Sequence, residues 1–275
     1  MNYSLNLNYL SIRKLTQLNA VKSLPFGEGL FRLKVGIWRG FFLSLLTIIS
    51  LQTFAQDAVM NDANAEKRNL SGSFSAIKVS DGIDLYLSQG NEESIAVSAS
   101  DPKYLERFKT VVDNGVLKIY YDNSSMIWNS NEKRKLKAYV SFKMLEKLNA
   151  SSGASVDAKN ILNLAYLEMH LTSGSQFTGE VKIGEMTVDQ NSGSEINITG
   201  SVEKIKVDLS SGAVFKGYDL NAEYCEAKAS SGGEARINVN KELAAKASSG
   251  GGIKYKGNAA IKDLNVSSGG VVKKS

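Results

Sequence analysis

Cysteine and histidine are nearly absent from this 275-residue sequence, which contains one of each, Cys225 and His170. A single cysteine excludes an intrachain disulfide, and the pair excludes any metal site built from several histidine or cysteine ligands. Cys225 falls on an inward position of a strand pattern and is interpreted as a core residue rather than a nucleophile. His170 falls on an outward position, and no serine and aspartate are placed to complete a catalytic triad.

Net charge is also absent outside the first 55 residues. The chain has 33 Lys and Arg against 28 Asp and Glu, which gives a formal charge of +5. Six of these bases and one of the acids lie within residues 1–55, so the remainder holds 27 of each. The basic balance therefore belongs to the N-terminal segment and does not support nucleic-acid binding.

The apolar run at residues 41–49 is shorter than the roughly 20 residues that a membrane-spanning helix needs. Basic residues precede it, and Thr53-Phe54-Ala55 follows it with a small residue at the end, which is the order of a secretory signal peptide. We expect residues 1–55 to be a leader, and its unusual length suggests that translation starts downstream of Met1. Residues 56–70 are expected to be a flexible lead-in. The expected destination is the periplasm, the outer-membrane surface or the medium, and an uncleaved anchor in the inner membrane is the alternative.

A regular repeat of Ser-Gly steps dominates the second half of the chain. The seven steps are Ser152-Gly153, Ser173-Gly174, Ser192-Gly193, Ser211-Gly212, Ser231-Gly232, Ser249-Gly250 and Ser268-Gly269. Successive glycines are 18 to 21 residues apart. A period this short and even predicts a solenoid, in which each coil buries its apolar side chains by stacking on its neighbours.

The residues around each Ser-Gly step alternate between apolar and polar, which predicts β-strands. The third residue after each glycine is apolar, and the residue directly after it is small, so that consecutive corners can stack at the strand spacing. Each coil is expected to be a strand, a corner, a second strand and a return turn. The pattern predicts an all-β, parallel β-solenoid of about seven regular coils, with a β-sandwich as the alternative.

Residues 71–148 predict a less regular β-rich part that continues into the repeat without a linker. Asp81-Gly82 separates two alternating segments and predicts a strand–turn–strand unit. One short helix is expected over residues 102–112, with Asp101 as its N-cap and a proline at its first position. Residues 71–275 are therefore expected to form one domain.

The sequence resembles the family of head GIN domain adhesins, formerly a domain of unknown function in Bacteroidetes-type bacteria. The similarity lies in residues 80–90 (Ser-Asp-Gly-Ile-Asp-Leu-Tyr-Leu-Ser-Gln-Gly), in residues 113–119 (Asp-Asn-Gly-Val-Leu-Lys-Ile) and in the recurring Ser-Gly corners. Asp81 departs from the glycine often found before the Gly-Ile pair. The resemblance covers about residues 71–275 and implies an exported β-helical adhesin, without assigning a role to any residue.

Two sets of outward side chains are candidates for ligand contact. Stacking of the coils would place Asp189 beside Asp208, a pair that could serve glycoside hydrolysis or Ca²⁺ binding, or be neutralised by Lys206 and Lys228. Lys216, Arg236 and Lys254 would form a basic ladder that could contact acidic glycans or spread into solvent. We expect no catalytic residues, no metal site and no cofactor.

The function expected from these patterns is a non-enzymatic surface or envelope module that presents a polar solenoid face to glycans or envelope components. A glycan-active lyase or hydrolase and a purely structural envelope protein are the alternatives. We expect no nucleic-acid partner and no membrane-spanning segment in the mature chain. The last coil would expose unpaired strand edges, which predicts either a weak end-to-end homodimer or a cap from the N-terminal strands.

Overall fold

The computed structural model describes residues 62–124 and 133–275. Within them, every regular element except the 3-10 helix Pro102–Tyr104 is a strand. The strands are β1 Glu66–Arg68, β2 Ala76–Val79, β3 Asp84–Gln89, β4 Ser94–Ser98, β5 Phe108–Asp113, β6 Val116–Tyr121, β7 Lys137–Phe142, β8 Lys147–Ala150, β9 Ser155–Ala158, β10 Leu162–Leu171, β11 Gln176–Gln190, β12 Glu195–Leu209, β13 Val214–Ala229, β14 Glu234–Ala247, β15 Gly252–Lys256, β16 Ala260–Val266 and β17 Val271–Lys274.

The predicted parallel β-solenoid is confirmed by the pairing of strands one repeat apart. Strands β10 to β14 each pair in parallel with the next, so that Met186 lies opposite Ile205, which lies opposite Cys225. In β11 to β14 the return turn expected in each coil lies within one continuous strand. At this bend the parallel register shifts between β12 and β13 and between β13 and β14. At Gly200 (φ 106°) a Cβ would lie 2.0 Å from the carbonyl oxygen of Val181, so this bend requires glycine.

Each Ser-Gly step is a two-residue turn in which both residues have positive φ. At Ser211-Gly212 the values are 50° and 74°, and the amide of Ala213 donates to the carbonyl of Ser210 at 3.1 Å. This is a type I′ turn, in which the left-handed conformation costs serine more than glycine. The amide of Gly212 also donates to the carbonyl of Ser231 at 3.1 Å, so hydrogen bonds join consecutive corners.

The inward side chains of successive coils form one continuous hydrophobic core. The predicted apolar position three residues after each glycine is buried in the first six coils, at Val156, Phe177, Ile196, Phe215, Ala235 and Ile253. Ser175 and Ser194 are also buried, and their hydroxyls donate to the carbonyls of Ala150 and Leu171. Gln190 places an amide in the core, since it stands where the neighbouring coils have leucine.

The N-terminal part belongs to the same stack, although its coils follow a different order from the sequence. The amide of Gly82 donates to the carbonyl of Ser152 at 2.9 Å, which makes Asp81-Gly82 an additional corner of the ladder. Strands β2 and β3 lie between β8 and β9 on one side and β6 and β7 on the other. Antiparallel strands then cover this end, because β5 pairs with β6, β4 with β7, and β1 with β4.

The helix expected over residues 102–112 is far shorter than predicted. Asp101 is its N-cap and accepts a hydrogen bond from the amide of Lys103 at 3.0 Å, but the helix ends at Tyr104. The remainder, Phe108–Asp113, is strand β5 of a hairpin closed by Asn114-Gly115. Asn-Gly favours a type I′ hairpin turn, and the β-branched residues before it suit a strand better than a helix.

The leader predicted for residues 1–55 and the first part of the predicted lead-in lie outside the described residues. In the remainder of the lead-in, Glu66–Arg68 pair antiparallel with β4, so regular structure begins before residue 71. Among residues 62–124 and 133–275, no helix has the length and apolar character to span a bilayer.

The last described coil, β16 and β17, exposes side chains that occupy inward positions. Leu264 and Val266 continue the inward rows of β14 and are 55% and 47% exposed. The N-terminal strands do not cover them, because those strands pair with β6 and β7 at the opposite end of the stack. The expectation that N-terminal strands cap the last coil is therefore wrong.

Candidate functional site

The outward side chains of the solenoid form two faces, which we call the incoming and outgoing faces. The incoming face consists of the outward side chains on the strand segments that lead into a Ser-Gly corner. The outgoing face consists of the outward side chains on the segments that follow a Ser-Gly corner. Parallel pairing aligns equivalent residues of successive coils into rows that run along the solenoid. Each row therefore repeats at the strand spacing of about 4.8 Å, and its chemistry is set by one residue per coil.

The basic ladder lies on the outgoing face, where register places Lys216 opposite Arg236 and Arg236 opposite Lys254. The stacking expected from the sequence is thus confirmed. Glutamates in the adjacent row engage all three side chains. Lys216 pairs with Glu195 at 2.6 Å, and Glu234 pairs with both Arg236 and Lys254 at 3.1 Å. The ladder consequently offers less free positive charge than its sequence pattern suggested.

These ion pairs also hold Glu234 in its charged form. Its pKa lies below the usual range because Lys254 donates a hydrogen bond to the carboxylate, with a further one from Arg236. Because the pairs are partly exposed to water, each contributes at most about 1 kcal/mol to stability. They explain why like charges can stack in neighbouring coils without strong repulsion.

The aspartate pair lies on the incoming face, where Asp189 is directly opposite Asp208 in the register. His170 is the next residue of this row, and its Nδ1 lies 3.5 Å from Asp189 Oδ2. The imidazole Nε2 also contacts Glu168, whose pKa is lowered by this hydrogen bond and by one from Lys147. The outward position of His170 was predicted from the sequence, but its contacts with the carboxylates of Asp189 and Glu168 were not.

The neutralisation expected for the two aspartates is seen in part, because the charge of Asp208 acts on Lys228 without a direct ion pair. Lys228 lies opposite Asp208 in the register, but its ammonium pairs with Glu226 at 3.0 Å. This pairing raises the pKa of Lys228 and lowers that of Glu226. In residues 62–124 and 133–275, no group of three or more His, Cys, Asp or Glu residues is arranged to hold a metal ion.

Cys225 is an inward residue of β13 and only 5% of its surface is exposed. Burial raises the pKa of its thiol to about 12, so the thiol is protonated at neutral pH. A protonated, buried thiol is a poor nucleophile, which agrees with its interpretation as a core residue.

A shallow groove on the incoming face was missed by the sequence interpretation. It has a volume of about 320 Å³ and lies between two rows of polar side chains on β11 to β14. Its walls include Lys204, Lys206 and Tyr224. The alternation of β12 already places Lys204 and Lys206 outward, but a groove depends on the lengths of side chains in four coils at once.

Comparison with known proteins identifies the fold and a family. The family model described as "Putative auto-transporter adhesin, head GIN domain" matches residues 73–259. No curated protein sequence matches the chain. The resemblance inferred from the Asp81-Gly82 segment and the Ser-Gly corners is thereby confirmed.

Solved structures share the solenoid at low sequence identity. A putative adhesin from Bacteroides fragilis is 17% identical, with a TM-score of 0.68 over 77% of this chain and 96% of that one. A putative adhesin from Parabacteroides merdae is 18% identical, with a TM-score of 0.59 over 78% and 97%. A putative lipid binding protein from Parabacteroides distasonis is 18% identical, with a TM-score of 0.56 over 78% and 98%. At these identities, the likeness shows the fold alone.

Proposed function

Because the chain belongs to the family of putative auto-transporter adhesins with a head GIN domain, we propose that it is an exported, non-enzymatic binding module of the cell surface or envelope. Its partners would be glycans or other envelope components. They would be held by weak contacts repeated along the rows of the two outward faces. Repetition of one contact at a fixed spacing raises the overall affinity for a repetitive ligand.

The absence of inserted loops is the observation that carries this proposal. Between Lys147 and Lys274, which the structure describes throughout, the segments that connect successive strands are three or four residues long. Active sites on regular scaffolds are usually built from longer loops that enclose the substrate. An open polar face is better suited to binding an extended partner than to surrounding a reacting bond.

A glycan-active enzyme is the second candidate, and the adjacency of Asp189 and Asp208 is the observation that favours it. Paired carboxylates can act as acid and nucleophile in glycoside hydrolysis. Asp189 is 53% exposed and shares its row with His170 on one side and Asp208 on the other. Neither aspartate lies in the groove, which weakens this candidate.

The location can be tested with the full-length chain in the cells that produce it. Export predicts a mature N-terminus near Gln56 by mass spectrometry, and digestion of the protein by protease added to intact cells or to spheroplasts. A full-length protein that fractionates with the cytoplasm would contradict the proposal. Retention of residues 1–55 in the inner-membrane fraction would instead indicate an N-terminal anchor.

Binding and catalysis can be separated on a glycan array, read with and without Ca²⁺ and followed by a product assay on each bound glycan. Binding without turnover is the expected result. Turnover that Asp189→Asn or Asp208→Asn abolishes would establish the enzyme. An exported protein that binds no glycan or envelope component would point to a purely structural envelope role.

A further inference from the structure

The groove on the incoming face follows the direction of the solenoid. One wall is the row Glu185, Lys204, Tyr224 and Glu242, and the other is the row Thr187, Lys206, Glu226 and Ala244. The backbone of the residues between the rows, including Ile205, forms the floor. Three strand spacings separate β11 from β14, so the groove is about 14 Å long. This length suits an extended ligand of a few rings better than a single small ion.

Lys204 and Lys206 supply the positive charge of the groove. They are two residues apart on β12, and both side chains point outward, with Cα atoms about 6.6 Å apart. Neither ammonium is in direct contact with a described carboxylate, whereas the nearby lysines Lys228 and Lys262 form ion pairs. Lys206 acts on Glu226 only as a more distant charge, which helps to lower the pKa of that carboxyl. Two ammonium groups at this separation, neither in direct contact with a described carboxylate, can both reach one carboxylate or sulfate group.

The charges beside these lysines are largely balanced within the protein. Glu226 pairs with Lys228 at 3.0 Å, and Glu242 pairs with Lys262 at 3.0 Å. Glu185 is the remaining acid of the walls, and Asp208 follows Lys206 on the same face of β12, so the positive charge of Lys204 and Lys206 is local and not a net excess of the groove. The groove therefore favours a ligand with negative charge near β12 and hydroxyl groups that can meet the flanking carboxylates.

Tyr224 provides an apolar surface beside the lysines. It lies next to Lys204 in the row and is partly exposed, and the ammonium of Lys241 sits 5.5 Å from its ring centroid. A tyrosine side chain offers both an apolar ring and a hydroxyl group, which matches the mixed surface of a sugar ring.

We propose that this groove binds an acidic saccharide, with a uronate or sulfate group held by Lys204 and Lys206 and a sugar ring against Tyr224. The proposal rests on the surface-binding function and names the chemical class of its ligand. It also shifts acidic-glycan binding from the ladder of Lys216, Arg236 and Lys254, whose side chains form direct ion pairs, to lysines that form none among the described residues.

The test uses the full-length chain and three probes in isothermal titration calorimetry: an alginate oligosaccharide, a sulfated glycosaminoglycan fragment and a neutral glucan of similar length. Binding to the first two probes, or to one of them, and not to the glucan is expected. The affinity should fall as salt is raised, because the contacts are exposed to water. Uronate and sulfate ligands are distinguished by which acidic probe binds.

The variant Lys204→Gln/Lys206→Gln should weaken binding by roughly a hundredfold, which corresponds to about tenfold per charge-assisted contact. Tyr224→Ala should weaken it further, and Tyr224→Phe should not. The matched control is Lys78→Gln/Lys182→Gln, which removes the same charge from exposed positions outside the groove and should leave binding unchanged. All of these positions are exposed or half-buried, so circular dichroism and thermal melting should show folded variants.

Equal losses in the groove variant and its control would show a nonspecific charge effect and overturn the groove. The groove is likewise overturned if Lys216→Gln/Lys254→Gln abolishes binding while the groove variant does not. If no acidic saccharide binds but the exported protein binds another envelope component, the proposed function stands and this inference fails. Cytoplasmic retention of the chain would instead contradict the proposed function.

Discussion

Tyr139 donates a hydrogen bond from Oη to Asp62 Oδ2 at 2.7 Å, although 77 positions separate them in the sequence. The same carboxylate oxygen accepts a bond from Ser98 Oγ at 2.7 Å and lies 3.8 Å from Lys137 Nζ. The side chain of Asp62 is 15% exposed. This contact fastens the first described residues to β4 and β7 at the end of the stack that antiparallel strands cover.

The hydrogen bond from Tyr139, with a smaller contribution from that of Ser98, lowers the pKa of Asp62 below its usual value. The stability gained is fully present above the unfolded-state pKa of about 3.9 and is lost as pH falls through the lower folded-state pKa. We expect Asp62→Asn to cost about 1–3 kcal/mol at pH 7, measured by urea unfolding. Below pH 3 the difference from the parent chain should shrink. A difference in unfolding free energy that stays constant with pH would contradict this account. Asp101→Asn, at the exposed N-cap of the 3-10 helix, is the comparison variant.

Alanine substitutions at two adjacent glycines are expected to have different effects on stability, because the neighbouring coil closely approaches only one of them. A Cβ at Gly251 would lie 2.2 Å from the carbonyl oxygen of Ala229, whereas a Cβ at Gly252 would meet nothing within 4 Å. Gly251→Ala should therefore destabilise the protein by about 1–3 kcal/mol, because backbone has to move. Gly252→Ala should be neutral or slightly stabilising. Thermal unfolding of both variants measures the contrast, and similar melting temperatures would show that the corner relaxes easily.

A stabilising substitution is expected at Gln190, a polar residue in the core. Its side chain is buried, Nε2 donates to the carbonyl of Val214 at 3.3 Å, and Oε1 has no hydrogen-bond partner among the described residues. Leu171 and Leu209 occupy the same position in the neighbouring coils. We expect Gln190→Leu to stabilise the protein by about 1 kcal/mol, because it removes an unsatisfied buried group.

The reverse change, Leu209→Gln, is the matched control and should destabilise the protein by roughly 2–4 kcal/mol. Urea unfolding with an unchanged m-value is the measurement. A loss of stability in Gln190→Leu would mean that the amide is satisfied in solution, for example by a buried water.

We propose weak self-association through the last described coil, with a second copy as the occupant. Strand β16 pairs with β14 on one side only, and Ile261, Leu264 and Val266 are 42%, 55% and 47% exposed. A two-fold axis would place the same edge of a second chain antiparallel to it, which satisfies its free backbone groups and covers the apolar side chains.

Sedimentation velocity of the full-length chain over a range of concentrations should show a monomer–dimer equilibrium. Leu264→Lys should abolish it through like-charge repulsion across the axis. Ile161→Lys replaces a side chain that is 51% exposed in the β9–β10 connection and should not alter the equilibrium. A chain that remains monomeric at high concentration would refute the proposal.

Much of the fold could be predicted because its determinants are local and repeated. The two-residue period sets which side chains face inward, and the recurring glycines mark where the chain turns. Cys225 and the rows containing Asp189 and Lys216 followed from this pattern alone. The helix was overestimated because Asp101 and Pro102 signal only where a helix starts, whereas β5 is stabilised by pairing with β6.

By itself, the sequence determined the repeat, the inward and outward positions and the membership of each row, because a parallel register makes residues one period apart neighbours. Only the tertiary structure decided how the rows interact with each other. It paired the basic ladder with Glu195 and Glu234, placed Asp81-Gly82 on Ser152-Gly153, and left Lys204 and Lys206 without an ion pair beside Tyr224. These relations depend on side-chain rotamers and on contacts between coils that are distant in sequence, which no periodic pattern specifies.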